Sequence, residues 1–112
     1  MLPQSHRLPL RTELRQVKKE GQLFQGKLFG LLLSPSPKTQ TRFAFIISTK
    51  VHKKAVKRNH AKRLLSSILK ELLPQIKPGF NGVFLAKKPL IDAAYSQIKE
   101  EVSFLFKKAR IL

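Results

Sequence analysis

The chain has no cysteine, and only six acidic residues among 112. Without cysteine, neither a disulfide framework nor a thiolate zinc site can form. Four of the acids, Glu71, Asp92, Glu100 and Glu101, are too dispersed to argue for a two-carboxylate acid–base site. Long apolar runs are missing as well. Leu31–Leu33 and Phe43–Ile47 fall far short of the ~20 residues needed to cross a bilayer. The N-terminal stretch lacks the apolar core of a signal peptide. No G-x-x-x-x-G-K-[ST] phosphate loop is present. These absences lead us to expect a cytoplasmic protein with no membrane partner and no catalytic constellation of its own.

What is present is positive charge. Lys and Arg number 23, for a net charge of +17 and a pI near 11.0. An apolar fraction of 42% is enough for a real core, so the chain is expected to form a single domain over residues 1–112. A compact domain with that charge repels itself unless a polyanion takes up the field. With membrane disfavoured, nucleic acid is the expected partner.

The pattern predicts an irregular arm over residues 1–9, carrying His6 and Arg7. Thr12 suits the N-cap of a first helix that ends before Gly21. Leu23–Phe24 and Lys27–Leu33 read as strands, and residues 34–41 (SPSPKTQT) as a loop. Arg42–Ser48 reads as a strand with Phe43, Phe45 and Ile47 on one face and Ala44 and Ile46 on the other. Both faces are apolar, which predicts a central strand. A second helix is expected over Ala55–Leu73, burying Ala61, Leu64, Leu65, Ile68, Leu69 and Leu72 at i, i+3, i+4 spacing. Pro74 ends it, Pro78-Gly79 turns the chain, and Gly82–Ala86 is a short buried strand. Pro89 is expected to start a last helix with an apolar stripe of Ile91, Ala94, Tyr95, Ile98, Val102, Leu105 and Phe106. The resulting fold class is α+β, in the order α-β-β-β-α-β-α, with a small, mostly antiparallel sheet of about four strands packed with three helices.

The stretch Lys50–Arg63, KVHKKAVKRNHAKR, is seven-fourteenths Lys or Arg, has no acid, and runs into the apolar pattern of the second helix. On a helical wheel Arg58, Asn59, Lys62 and Arg63 share one arc beside the apolar stripe, while Lys53, Lys54 and Lys57 crowd the helix entrance. Cations at a helix start oppose the macrodipole, so an external anion is expected there. Most charge runs are solvated faces; here charge and amphipathicity coincide, which favours a phosphate backbone as the ligand. His52 and His60 have no nearby cysteine or carboxylate and make a weak metal site. Ser66 and Ser67 sit mid-helix with no base in view, which argues against a nucleophile. Of the eight Phe, Phe24, Phe29, Phe43, Phe45 or Phe84 could stack on bases if a sheet face were open, though core packing is the ordinary role for each.

The run KVHKKAVKRNHAKRLL resembles the signature helix of the bacterial ribonuclease P protein component, roughly K-K-x-x-x-A-x-x-R-N-R-x-K-R-x-x-R-E. HRLPLRTELRQVKKEGQLFQGKLF looks like that family's opening, RFAFIISTK like its central strand, and GVFLAKK like the strand before its last helix. The likeness covers most of the chain in order. Departures are local. His60 replaces the second Arg of the R-N-R triplet, Ser66 and Ser67 stand where Arg and an acidic or amide residue are usual, and Leu14 and Lys18 occupy positions that are often aromatic.

The resemblance implies a ribosomal-protein-like fold with a left-handed crossover, and a role as the protein subunit of ribonuclease P. It implies binding to the catalytic RNA and to the 5′ leader of precursor tRNA during 5′-end maturation, one protein per RNA. Hydrolysis belongs to the RNA and its Mg²⁺, and the protein alone is expected to be inactive. The basic helix then faces the catalytic RNA through Lys50, Lys53, Lys54, Lys57, Arg58, Asn59, Lys62 and Arg63. A cleft between that helix and the sheet holds the single-stranded leader, with Arg11, Leu14, Lys18, Phe43 and Phe45 as candidate contacts. No catalytic and no metal-ligating residue is expected in the protein. Composition alone leaves a structural rRNA-binding ribosomal protein open as the alternative. A DNA-binding module is not expected, since no helix-turn-helix or zinc module is recognisable.

Overall fold

In the computed structural model, which describes residues 2–36 and 40–112, two antiparallel strands form the middle of the sheet. They are β2 (Phe29–Pro35) and β4 (Phe80–Ala86), paired from Phe29↔Ala86 to Pro35↔Phe80. β1 (Gln22–Gln25) adds to β2 antiparallel, and β3 (Arg42–Ile46) adds to β4 in parallel, giving the order β1-β2-β4-β3. The helices are α1 (Leu10–Glu20), α2 (Ala55–Leu72) and α3 (Tyr95–Lys108), so the α-β-β-β-α-β-α order holds. Short 3₁₀ turns lie at Gln4–His6, Leu73–Gln75 and Lys88–Leu90.

The sheet is covered on both sides. On one face Phe29, Leu31, Leu33, Phe43 and Phe84 meet the buried stripes of α2 (Ala61, Leu65, Ile68, Leu69, Leu72) and α3 (Ile98, Val102, Leu105, Phe106). The rings interlock here: Phe43 stacks on Phe106 at 5.8 Å and 16°, and Phe29 meets Phe84 edge-on at 5.1 Å. On the other face Val17 of α1 closes over Leu8, Leu32, Ala44 and Val83. That helix is pinned by charge. Arg42, buried at the start of β3, reaches Glu13 through Nη2 at 2.6 Å and donates through Nε to Asn81 Oδ1 at 3.3 Å.

Several expectations need correction. β3 is an edge strand, not a central one. Its two apolar faces report the two helical layers that cover it, and β4 takes the central position. The arm partly covers the exposed edge through the Arg7↔Phe43 bridge, with Leu8 N–H donating to the Phe43 carbonyl at 2.9 Å. β3 stops at Ile46. Ser34 and Pro35 belong to β2, where Pro35 closes the ladder at its last pair; the middle of the predicted loop, residues 37–39, lies outside the described residues. Thr12 is inside α1, whose N-cap is Pro9, and Gly21 ends α1 in extended conformation, not in a left-handed cap. Leu64 is only half-buried. Pro89 sits in the 3₁₀ turn, and α3 begins six residues later at Tyr95, where Gln97 Oε1 accepts from the Ala94 N–H at 2.8 Å. Ala94 and Tyr95 are therefore exposed.

Two tertiary tethers come from carboxylates. Glu101 of α3 accepts the backbone N–H groups of Lys27, Leu28 and Phe29 at 2.9, 2.8 and 3.2 Å, clasping the β1–β2 turn. A Cβ at Gly26 would fall 2.7 Å from the Glu101 carboxyl carbon, so a side chain there would push the clasp aside. Glu71, at the end of α2, pairs with Lys99 of α3 at 3.0 Å. The hydrogen bond and charge of Lys99 hold the Glu71 carboxyl below the usual carboxylate range. This pair is solvent-exposed, so it orients more than it stabilises.

Leu65 is fully buried in the α2 stripe. Leu65→Ala should lower unfolding free energy by about 2–5 kcal/mol in a denaturant titration. An unchanged midpoint would mean that α2 packs by another face.

Candidate nucleic-acid interface

α2 starts without help from any acidic side chain. Its N-cap is Lys54, with no side-chain cap and no acid in the first turn. The Lys54 N–H instead donates to His52 Nδ1 at 3.1 Å, which gives that histidine a local structural role. Lys50, Lys53, Lys54, Lys57, Asn59, His60 and Arg63 are exposed, and Arg58 and Lys62 are half-buried. Val56, 78% exposed, stands among them. The salt bridges among the described residues are Arg42–Glu13 and Lys99–Glu71, and neither touches this block. The structure thus brings all eight predicted RNA-binding residues to the loop before α2 and its first half, with no carboxylate to neutralise them. Arg58 Nε is buried and has no hydrogen-bond partner among the described residues.

The five candidate leader contacts do not form one group. Phe43 and Phe45 point to the α2/α3 side of the sheet, whereas Arg11, Leu14 and Lys18 ride on α1, over the opposite face. Phe43 is only 1% exposed and its ring is taken up by Phe84 and Phe106, so it has no free face for a base. Phe29 and Phe84 are buried in the same cluster, while Phe24 and Phe45 keep partial exposure. On the α1 side Arg11 and Lys18 are exposed and Leu14 is half-buried beside Ile46 and Leu85. Leu23, opposite Leu32 in register and 47% exposed, extends this apolar margin.

A small cleft of about 190 Å³ opens between the arm, β3 and α2, lined by residues including Arg7, Phe45, Lys62 and Ser66. The sequence marks Arg7 only as part of the arm and Ser66 only as a departure on the signature helix, and joins neither to a cleft. Ser66 follows Lys62 by one helical turn, a spacing that could have flagged it; Arg7 comes to the cleft only through arm pairing on β3. Among the described residues no three His, Cys, Asp or Glu gather to hold a metal ion. No helix among them is long and apolar enough to cross a membrane.

An unpaired cationic helix fixed by its apolar stripe to a mixed sheet defines an α+β nucleic-acid-binding domain. Comparison with known proteins sharpens this. The family model described as Ribonuclease P matches residues 2–110. The ribonuclease P protein component of Microcystis aeruginosa is 35% identical over 115 residues, covering 99% of this chain and 96% of that protein. The one from Picosynechococcus sp. is 33% identical over 110 residues, covering 98% and 95%. The RNase P protein from Thermotoga maritima superposes with a TM-score of 0.83 at 26% identity, over 91% of this chain and 96% of that one. A Staphylococcus aureus RNase P protein shares the fold, with a TM-score of 0.85 at 20% identity, over 95% and 96%. The chain belongs to the ribonuclease P protein family. Its working partner is accordingly ribonuclease P RNA, and the ribosomal-protein alternative falls away.

If the Lys50–Arg63 block neutralises about five phosphates of a single-stranded segment, log K against log salt should fall with a slope near −3.5, from about −0.7 per contact. Arg58→Ala or Lys62→Ala should each flatten it by less than about one unit. A salt-independent affinity would rule the block out as the interface.

Proposed function

We propose that this protein binds ribonuclease P RNA along α2 and holds the 5′ leader of precursor tRNA along the α1 margin, assisting removal of that leader. The observation that carries the reading is the unpaired cationic face of α2 in a member of this family. α2 supplies phosphate contacts at fixed helical spacing, so binding orders the RNA without first ordering the protein. The α1 margin offers Arg11 and Lys18 to phosphates and Leu14, Leu23, Ile46 and Leu85 to bases or sugars.

Chemistry is assigned to the RNA. Mg²⁺ held there would generate the attacking hydroxide and stabilise the leaving oxygen. We assign to the protein the part of positioning and charge neutralisation, which its unpaired cationic face on α2 supports. We assign one protein per RNA, acting in the cytoplasm.

Rigorously RNA-free protein should leave precursor tRNA intact, while added ribonuclease P RNA should cut faster at low Mg²⁺ in its presence. Cleavage by the protein alone would overturn this division of labour.

Leader recognition should be weak in sequence and strong in salt, because Leu14 and Lys18 offer no ring and each base–aromatic stack is worth about 1–3 kcal/mol. Competitive cleavage of precursor tRNAs with randomised leaders measures this, and Lys18→Phe should gain base preference and lose salt sensitivity. Strong discrimination by the parent, unaltered in Lys18→Phe, would move leader reading elsewhere.

A further inference from the structure

Phe104 stands on the outer side of α3 with 61% of its surface exposed. Val102, Leu105 and Phe106 beside it in sequence are buried, so α3 is apolar on its core face and carries a bare ring on the opposite one. A lone exposed apolar side chain is ordinary on a protein surface. This one separates two grooves. One, of about 480 Å³, runs along α3 between Ser96 and Lys107, with Ser103 in its wall. The other, of about 590 Å³, lies between α3 and the β1–β2 turn at Gly26–Leu28.

Charge sets this surface apart. Lys27, Lys99 and Lys107 line the grooves together with Glu100 and Glu101, and Glu71 pairs with Lys99. Half of the six acidic residues in a chain of net charge +17 therefore gather here, and these charges cancel. No residue of the Lys50–Arg63 block lines either groove. A polyanion gains little from a locally neutral surface, whereas another strongly cationic protein meets least repulsion there.

The order of charges along α3 names that protein. Glu100 and Lys107 flank Phe104, and neither has an opposite charge three or four residues away on its own helix. Neither takes part in a salt bridge among the described residues. Lay α3 of one molecule antiparallel across α3 of another, with a twofold axis between Ser103 and Phe104, and Glu100 of each faces Lys107 of the other. Each Phe104 ring then meets Ser103 of the second copy, whose short side chain leaves the groove beside it open. One patch supplies both knob and hole, as an isologous interface requires.

We propose that the outer face of α3, centred on Phe104, is a self-association surface on which two copies of this protein pair, with Glu100 of each against Lys107 of the other. A single helix pair is small beside the ~1,200 Å² at which stable interfaces begin, so the pair is weak and exchanges. Each copy keeps the cationic half of α2 free, and pairing through α3 stands whether or not α2 binds RNA.

The chain has no cysteine, so one introduced thiol reports one position. Ser103→Cys sets the two thiols beside the axis. Ser96→Cys sets them roughly 20 Å apart along the helices, from about 1.5 Å of rise per residue. Ser96 is exposed and Ser103 half-buried, so random collision favours position 96 and the pair favours position 103. Under mild oxidation of the full chain, in salt that screens its net charge, Ser103→Cys should form disulfide-linked dimer at least about five-fold faster than Ser96→Cys. Adding Phe104→Glu should abolish that difference with little change in melting temperature, because the ring is mostly exposed. Sedimentation equilibrium of cysteine-free variants gives a second measure. Glu100→Lys or Lys107→Glu alone sets like charges face to face and should weaken pairing about five-fold, while the two together should restore it. Restoration separates self-pairing from the docking of any other molecule, since only a second copy carries the complementary change. Equal cross-linking at positions 96 and 103, or a double swap that stays weak, would overturn the proposal. So would weaker RNA binding by Phe104→Ala with no change in sedimentation, which would give this face to RNA.

Discussion

Negative charge is the scarce material from which this structure is held together. With six acidic residues against 23 basic ones, few carboxylates can be placed, and three of them sit at joints. Glu13 meets the buried Arg42 and so fastens α1 to the sheet. Glu71 meets Lys99 between the end of α2 and α3. Glu101 meets three backbone amides of the β1–β2 turn. None is placed near Lys50–Arg63, and that is as consequential as where they are. A single carboxylate within reach of Lys50–Arg63 would compete with phosphate for those cations.

α2 has to satisfy two demands at once. Its stripe from Ala61 to Leu72 fills the core, and its first half presents cations to solvent. The two faces meet along Arg58, Lys62 and Ser66, spaced by four residues, where burial and polarity overlap. Buried polar atoms without partners are rare enough in folded proteins to need an explanation. Two of them, Arg58 Nε and Ser66 Oγ, lie on this one ridge.

Much of this was readable from residue order because the relevant periodicities are local. The α2 stripe, the element order and the cationic block all follow from spacing within one element. What could not be read was what depends on non-local pairing. Two-sided apolarity in β3 says that both faces are covered, but an edge strand between helical layers carries the same pattern as a central one. Pro89 marks a turn as readily as a helix start, and only the 3₁₀ geometry before Tyr95 separates the two. In the candidate site, the lysines and arginines of α2 were legible as a group. The split of Phe43 and Phe45 from Arg11, Leu14 and Lys18 was not, because it requires knowing which sheet face each helix takes. The cleft around Ser66 was invisible for the same reason, since its far wall is the arm folded back on β3.

The Glu101 clasp carries a further meaning for how motion is distributed. The amides of Lys27, Leu28 and Phe29 are held not by a neighbouring strand but by a side chain some seventy positions later, |i−j| being 72 to 74. Solvent can reach those amides at the carboxylate only when α3 lifts or its side chain swings away. Hydrogen exchange at the hairpin tip therefore acts as a remote gauge of the C-terminal helix, recording its excursions in a distant part of the chain.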